Sequence, residues 1–384
     1  MDQRHHDSGS RAPRRTHAAR HLFSAPQLRE TVALAPQHGL WISTLAGAQA
    51  ALTTLIALPL VLLSPWSHLI GFAALGALPA LFGRFAPPAR RGGIVLLCAL
   101  SQIFAVLVMS LTVWAGVAIV GQILMLAILA GFFYFLGVVG RFGPPGALIF
   151  IFAASASMAD VRMLAQVFER AAATGSIGLF AVLICVATEW LRRRAGASGE
   201  MTIDTVGPLR DIVAAAARIA VGSGAAAFAA HALGAAHPGW AAMGAMAVMQ
   251  GAHLHIRMNR AIQRTVGTIV GACLVWILLS FTPAPAAIIA ILVLLTVATE
   301  VIIGFNYALG QMLVTPMALL MTYLAAPGLS GTTLAMERVA DTVLGAVIGM
   351  IMAIILSTLD DRRHLRRHHV RRRRKSPPPR ATKN

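Results

Sequence analysis

The sequence predicts an all-α polytopic membrane protein: twelve transmembrane helices, folded as two parallel six-helix repeats, with both termini cytoplasmic. Three observations predict it. The 384 residues are 57% hydrophobic and 12% charged, with a mean hydropathy of +0.73, whereas soluble domains carry about 25% charged residues. The charges are displaced to the ends, because positions 1–39 hold 9 and positions 358–384 hold 13, against 24 over the whole of 40–357. Finally, two separate stretches match each other at a single offset, position i pairing with position i + 168. The middle is too long and too apolar to be coated as a single water-soluble core. It is also too apolar to be disordered.

A membrane-crossing helix needs about 20 apolar residues. Spans are expected near 41–63, 68–83, 93–112, 115–139, 144–159 and 172–191 in the first half. In the second half they fall near 212–233, 239–252, 264–281, 285–303, 307–325 and 335–357. The one at 144–159 is broken by Pro144 and Pro145. The domains that follow are a basic tail at 1–39, a repeat at 40–191, a linker at 192–211, a second repeat at 212–357 and a basic tail at 358–384. Arginine placement tests the span count independently. With the N-terminus inside, the loops at 84–92, 140–143, 192–211 and 253–263 are cytoplasmic. These loops and the two tails, with Arg264 just beyond the last loop, then hold 28 of the 32 Lys and Arg, as the positive-inside rule requires. The intervening loops at Ser64–Ser67, Ala235–Trp240 and Thr282–Pro285 carry none.

The repeat reads as follows. Ala73-Ala74-Leu75-Gly76-Ala77 aligns with Ala241-Ala242-Met243-Gly244-Ala245, Glu169-Arg170 with Glu337-Arg338, and Thr174 with Thr342. Glu-Arg is rare in so apolar a chain, so composition does not explain it. Six spans per half is an even number, so both copies run through the bilayer in one sense, an arrangement that places a binding site near the midplane between halves.

The net charge of +18 and pI near 11.6 point to anionic lipid headgroups rather than nucleic acid, because the basic runs, Arg371–Lys375 among them, flank membrane spans. Cys98, Cys185 and Cys273 sit singly in apolar runs, which supports neither disulfide nor metal chemistry. His253 and His255 have no matching ligand set, and no metal or other cofactor is expected. The chain has no P-loop, and its lysines are Lys375 and Lys383; with no GxSxG or HExxH motif either, enzymatic activity is not expected.

A charge inside hydrocarbon is costly and marks a functional candidate. Asp341, two turns into the last span, follows Glu337 at i+4 and Arg338 at i+3, which suits proton handling; a structural ion pair at the interface is the competing account. Glu169 is the copy of Glu337, whereas Ala173 stands where the second half has Asp341. Glu300 lies near the inner end of its span. Arg170, Arg338 and Arg218 are the candidate anion-binding groups, with snorkelling to headgroups as the alternative. Gly267 and Gly271, and Gly345 and Gly349, form two GxxxG patterns expected to serve helix packing.

The stretch Arg260-Ala-Ile-Gln-Arg264-Thr-Val-Gly267-Thr-Ile-Val-Gly271 resembles the fusaric acid resistance (FUSC) family of aromatic acid exporters. Glu337-Arg338-Val-Ala-Asp341-Thr-Val-Leu-Gly345-Ala-Val-Ile-Gly349 is similar to that family's closing span. The resemblance covers roughly 212–357 and, more weakly, 41–191. It implies a proton-driven efflux transporter of small aromatic organic acids in the bacterial inner membrane. Many members are longer, and several work with a periplasmic adaptor protein; an adaptor and a second copy of the chain are therefore candidate partners besides the organic anion, protons and anionic lipid. Two alternatives stay open. A major-facilitator transporter would carry an acidic residue in its 2–3 loop, and Gly83–Arg91 has none. A non-transporting membrane subunit would depend on its basic tail rather than on Asp341 and Arg338.

Overall fold

The computed structural model describes residues 39–194, 207–250, 254–325 and 330–357. The basic tails at 1–38 and 358–384, with the lipid contact expected of them, lie outside the described residues. So do much of the 192–211 linker and His253, and the side chain of His255 is likewise not described.

Every regular element among the described residues is helical. In chain order these are α1 (Leu40–Leu62), α2 (Ile70–Ala77), α3 (Pro88–Trp114), α4 (Ile119–Val139), α5 (Leu148–Ala156), α6 (Leu164–Ala187) and a short α7 (Glu189–Arg194). Then come α8 (Leu209–Ala232), α9 (Pro238–Met249), α10 (Leu254–Ser280), α11 (Pro285–Ile302), α12 (Tyr307–Ala325) and α13 (Gly331–Ile355). Pro88, Pro238 and Pro285 each stand at a first helical position, where the missing N–H costs nothing and φ is preset. Leu55, Leu124, Leu183, Trp276 and Phe281 are exposed around the outside, as lipid-facing side chains must be.

Nine helices among the described residues are long and apolar enough to cross a membrane, and the chain is a multi-pass membrane protein. The other three expected spans are short. The stretch at 68–83 is helical over Ser67–Leu81, that at 144–159 over Leu148–Ala156, and that at 239–252 over Pro238–Met249. A nine-residue helix rises only about 14 Å. The backbone chemistry explains the shortening: Pro144–Pro145, and positive φ at Gly143 and Gly146, keep residues 143–147 out of a helix, and Pro79 with Gly83 at φ +65° turns the end of the other segment.

Short as they are, the first two of these segments run from one end of the bundle to the other. His68 meets Glu169 near the start of α6, whereas the Arg84 and Ala86 carbonyls accept from Arg192 beyond its end; α6 itself is about 36 Å long. Phe142 O accepts from Gly83 N, and the Ala159 and Asp160 carbonyls accept from Arg170. Residues 142 and 159 therefore lie at opposite ends.

The helix contacts fall into matching pairs. α1 packs on α11 as α8 packs on α4, and α2 on α12 as α9 on α5. Within each half α6 holds α2 and α3 as α13 holds α9 and α10. Each partner in these pairs lies close to one repeat offset along the chain from its counterpart; α2 with its 3-10 continuation ends at Leu81, and α9 at Met249. The glycine pairs sit where helices approach closely. A Cβ on Gly349 would lie 2.7 Å from Ala245 Cα, and one on Gly271 would lie 2.8 Å from Met312 O.

Candidate functional site

The short helical elements α2, α5 and α9, with α12, which contains Pro316, surround two cavities. The larger, of about 1100 Å³, opens at the end that carries Arg84 and Glu300. The smaller, of about 410 Å³, lies at the end that carries His68, Glu169, Arg170 and His237. The start of α6 in the first half and the start of α9 in the second thus line one cavity.

Four arginines line the large cavity, Arg84, Arg260, Arg264 and Arg338, with Glu300 as its acidic residue. Arg84 forms a buried ion pair with Glu300. Arg264 Nη1 donates to Tyr307 Oη at 3.2 Å and to Gln311 Oε1 at 3.4 Å, and Gln311 Nε2 donates to Thr315 Oγ1 at 3.2 Å. Arg338 differs from all of these. It is 2% exposed, and neither Nε nor Nη1 has a hydrogen-bond partner. Its guanidinium lies 5.1 Å from the centroid of the Trp240 ring. Such a cation–π contact is worth about 2 kcal/mol when desolvated, while burying an ion costs several kcal/mol. The stack alone does not offset the burial. A guanidinium with free donors, facing a cavity, is complementary to a carboxylate or other oxyanion.

Trp240 itself lines the small cavity. His237 stacks on it with centroids 4.3 Å apart, and His237 Nδ1 lies 2.8 Å from Glu337 Oε2. At the matching place in the first half, Arg170 lies over Phe72 at 5.0 Å, and His68 Nε2 is 3.8 Å from Glu169. Unlike Arg338, Arg170 is satisfied by the carbonyls of Ala159 at 3.1 Å and Asp160 at 2.8 Å.

The other expected site residues fall elsewhere. Asp341 is buried one turn beyond Arg338, with Oδ2 unpartnered, and lines neither cavity. Arg218 is half-buried, donates from Nε to Ala214 O at 3.3 Å and lines neither cavity. Glu189 joins two buried arginines, Arg91 at 3.2 Å and Arg192 at 3.0 Å. Cys98 and Cys185 are buried and Cys273 is exposed, all as thiols.

Arg84, Arg260 and Arg264 read in the sequence as topological signals, and Arg260 and Arg264 also as part of the stretch that carries the family resemblance, but none as a site residue. The spacing of Arg257, Arg260 and Arg264 along one helix that runs on into an apolar span was the available clue. Tyr134, Tyr307 and Gln311, which also line the large cavity, carry no sequence signal that distinguishes them from core.

The family described as fusaric acid resistance protein-like matches residues 225–352. The resemblance carried by Arg260–Gly271 and Glu337–Gly349 is thus borne out over that segment. The fusaric acid resistance-like segment supplies Arg260, Arg264, Trp240 and Arg338 to the site, while Arg84 comes from outside it. An uncharacterized membrane protein of Bacillus subtilis (strain 168), YvaC, is 33% identical over 125 residues, which are 33% of this chain and 20% of that protein. The match thus spans about a fifth of that relative's length. No solved structure matches.

Proposed function

We propose that this chain is an inner-membrane efflux transporter of small organic anions, aromatic carboxylates among them, driven by protons. The observation that carries the reading is Arg338, buried without a partner for two of its nitrogens and facing a cavity lined by three further arginines. Arg338 takes the anion's oxygens, Arg264 and Arg260 draw it in, and the cavity's apolar walls, such as Phe152 and Met317, accept its body.

The reading treats the two halves as parallel six-helix repeats. The shared repeat register and the exchanged packing of α1 on α11 and α8 on α4 support it. With Ser67–Leu81, Leu148–Ala156 and Pro238–Met249 counted as passages completed by non-helical backbone, the chain crosses twelve times and both termini are cytoplasmic, in line with the arginine distribution. Non-helical backbone is tolerated at membrane depth where it lines a cavity.

Carboxylates stand at both ends of the path. Glu300 holds Arg84 at the inner cavity, and Glu337 and Glu169 hold histidines at the outer one. Protonating Glu300 frees Arg84 to join the anion's counter-charge, which couples proton and solute. Asp341, beside Arg338, modulates how tightly the anion is held. No step of this scheme makes or breaks a covalent bond other than to a proton, so the chain acts as a carrier and not as an enzyme.

Uptake of radiolabelled benzoate into proteoliposomes, with and without an imposed pH gradient, tests the proposal. Gradient-dependent flux is expected. Its absence for benzoate and for a panel of other carboxylates would overturn the reading in favour of a non-transporting membrane subunit.

A further inference from the structure

Two cavities at opposite ends of a bundle make a pathway only if something separates them, and the structure identifies the separating residues. Among the described residues, Phe152 and Met321 line both cavities, and no others do. The boundary is visible one turn at a time on the neighbouring elements. On the Ser67–Leu81 segment, Leu75 lines the small cavity and Leu78 the large one; on α9, Trp240 lines the small cavity and Met243 the large one.

Phe152 belongs to α5 and Met321 to α12. These elements correspond at the repeat offset, and the two side chains stand one position from strict register. The narrow point therefore lies near the two-fold axis, built once from each half. It is apolar, and it is next to the charged site, because Arg338 lines the large cavity while the Trp240 under its guanidinium lines the small one. A solute whose carboxylate is held by Arg338 has its body against this constriction.

We propose that Phe152 and Met321 form the constriction between the two cavities and set the largest solute that passes. The proposal rests on the transport reading given above. The two side chains contribute differently. Phe152 is a rigid ring, and Met321, with three rotatable bonds, repacks around whatever passes. Neither offers a hydrogen bond, so what they discriminate is volume, not charge. A cavity wall of this kind rejects an oversized body sterically, and truncating the wall admits it.

Two measurements test this. In proteoliposomes loaded for uptake, wild-type protein is expected to carry benzoate and reject 9-anthroate. Phe152→Ala and Met321→Ala should each raise the anthroate-to-benzoate flux ratio by about tenfold. Leu78→Ala, in the large cavity alone, should not. An unchanged ratio in both constriction variants, or an equal gain in Leu78→Ala, overturns the proposal while leaving the transport reading intact.

The second measurement needs no substrate. Met243→Cys is placed on the large-cavity side and challenged with a membrane-impermeant maleimide from the side to which Ser155 opens, with the parent chain as the control for its own cysteines. Labelling is expected to be slow with Phe152 and Met321 present and at least about tenfold faster in the Phe152→Ala/Met321→Ala background. Equal rates in both backgrounds overturn the constriction even if no solute is ever transported, whereas faster labelling together with absent benzoate flux would refute the carrier and keep the constriction.

Discussion

Arg338 lays its guanidinium over Trp240 at 5.1 Å, and in the first half Arg170 does the same over Phe72 at 5.0 Å. Both members of one pair stand 168 positions from their counterparts in the other, yet their surroundings differ. Arg170 spends its donors on the 157–160 turn, where the carbonyls of Ala159 and Asp160 accept them. Arg338 has no such turn to bind and faces the large cavity. One arginine is tied to a turn by its donors; the other keeps two nitrogens unpartnered beside the cavity.

That asymmetry predicts opposite results for two similar substitutions. Arg338→Met removes a buried charge that the Trp240 stack and neighbouring Asp341 offset only in part, so stability should hold or rise, as it does when buried ions give way to apolar residues of similar volume. Transport should fall at least about a hundredfold, the worth of roughly 3 kcal/mol of charge-assisted contact. Arg170→Met should lower stability by about 1–3 kcal/mol, because it removes charge-assisted hydrogen bonds to two carbonyls. Thermal unfolding in detergent, read beside flux, separates the two.

The ion pair between Arg84 and Glu300 joins the halves across the mouth of the large cavity. Glu300→Gln leaves a buried arginine without its counter-charge and should cost about 3–5 kcal/mol, whereas Arg84→Met/Glu300→Met should recover most of that loss. A double-mutant cycle on unfolding midpoints measures the difference. If the single and double variants are equally destabilised, the pair does not act as a unit.

Close helix approach gives a third test. A Cβ on Gly349 meets the backbone of Ala245, while one on Gly93 meets nothing within 4 Å. Gly349→Ala should therefore destabilise by about 1–3 kcal/mol through overpacking. Gly93→Ala, inside α3, should stabilise by about 0.5–1 kcal/mol through helix propensity. The ranking of the two midpoints checks the α9–α13 contact directly.

Much of this architecture could be read from the chain before folding. The membrane character follows from where the charges are absent, and the repeat offset showed in Glu169-Arg170 against Glu337-Arg338 because two charged residues together stand out in an apolar background. Arg338 stood out as a candidate for the same reason. The short helices were not, since hydropathy registers an apolar stretch whether it forms one helix or a nine-residue helix after a Pro-Pro turn. Nor was the arginine-lined cavity. Arg84 and Arg264 satisfy the positive-inside rule wherever they point, so topology alone accounts for them; that they converge with Arg338 depends on contacts such as Arg84 with Glu300, 216 residues apart. Trp240 gave no sign of its partner, because a tryptophan in an apolar run looks like core until an arginine from another helix is set over it.

Equilibrium binding of radiolabelled benzoate to purified protein in detergent tests the central claim most directly, with wild type, Arg338→Gln and Arg170→Gln compared at one ionic strength. Saturable binding to wild type and to Arg170→Gln, abolished in Arg338→Gln, is the expected result. Equal binding by all three would contradict an anion site at Arg338.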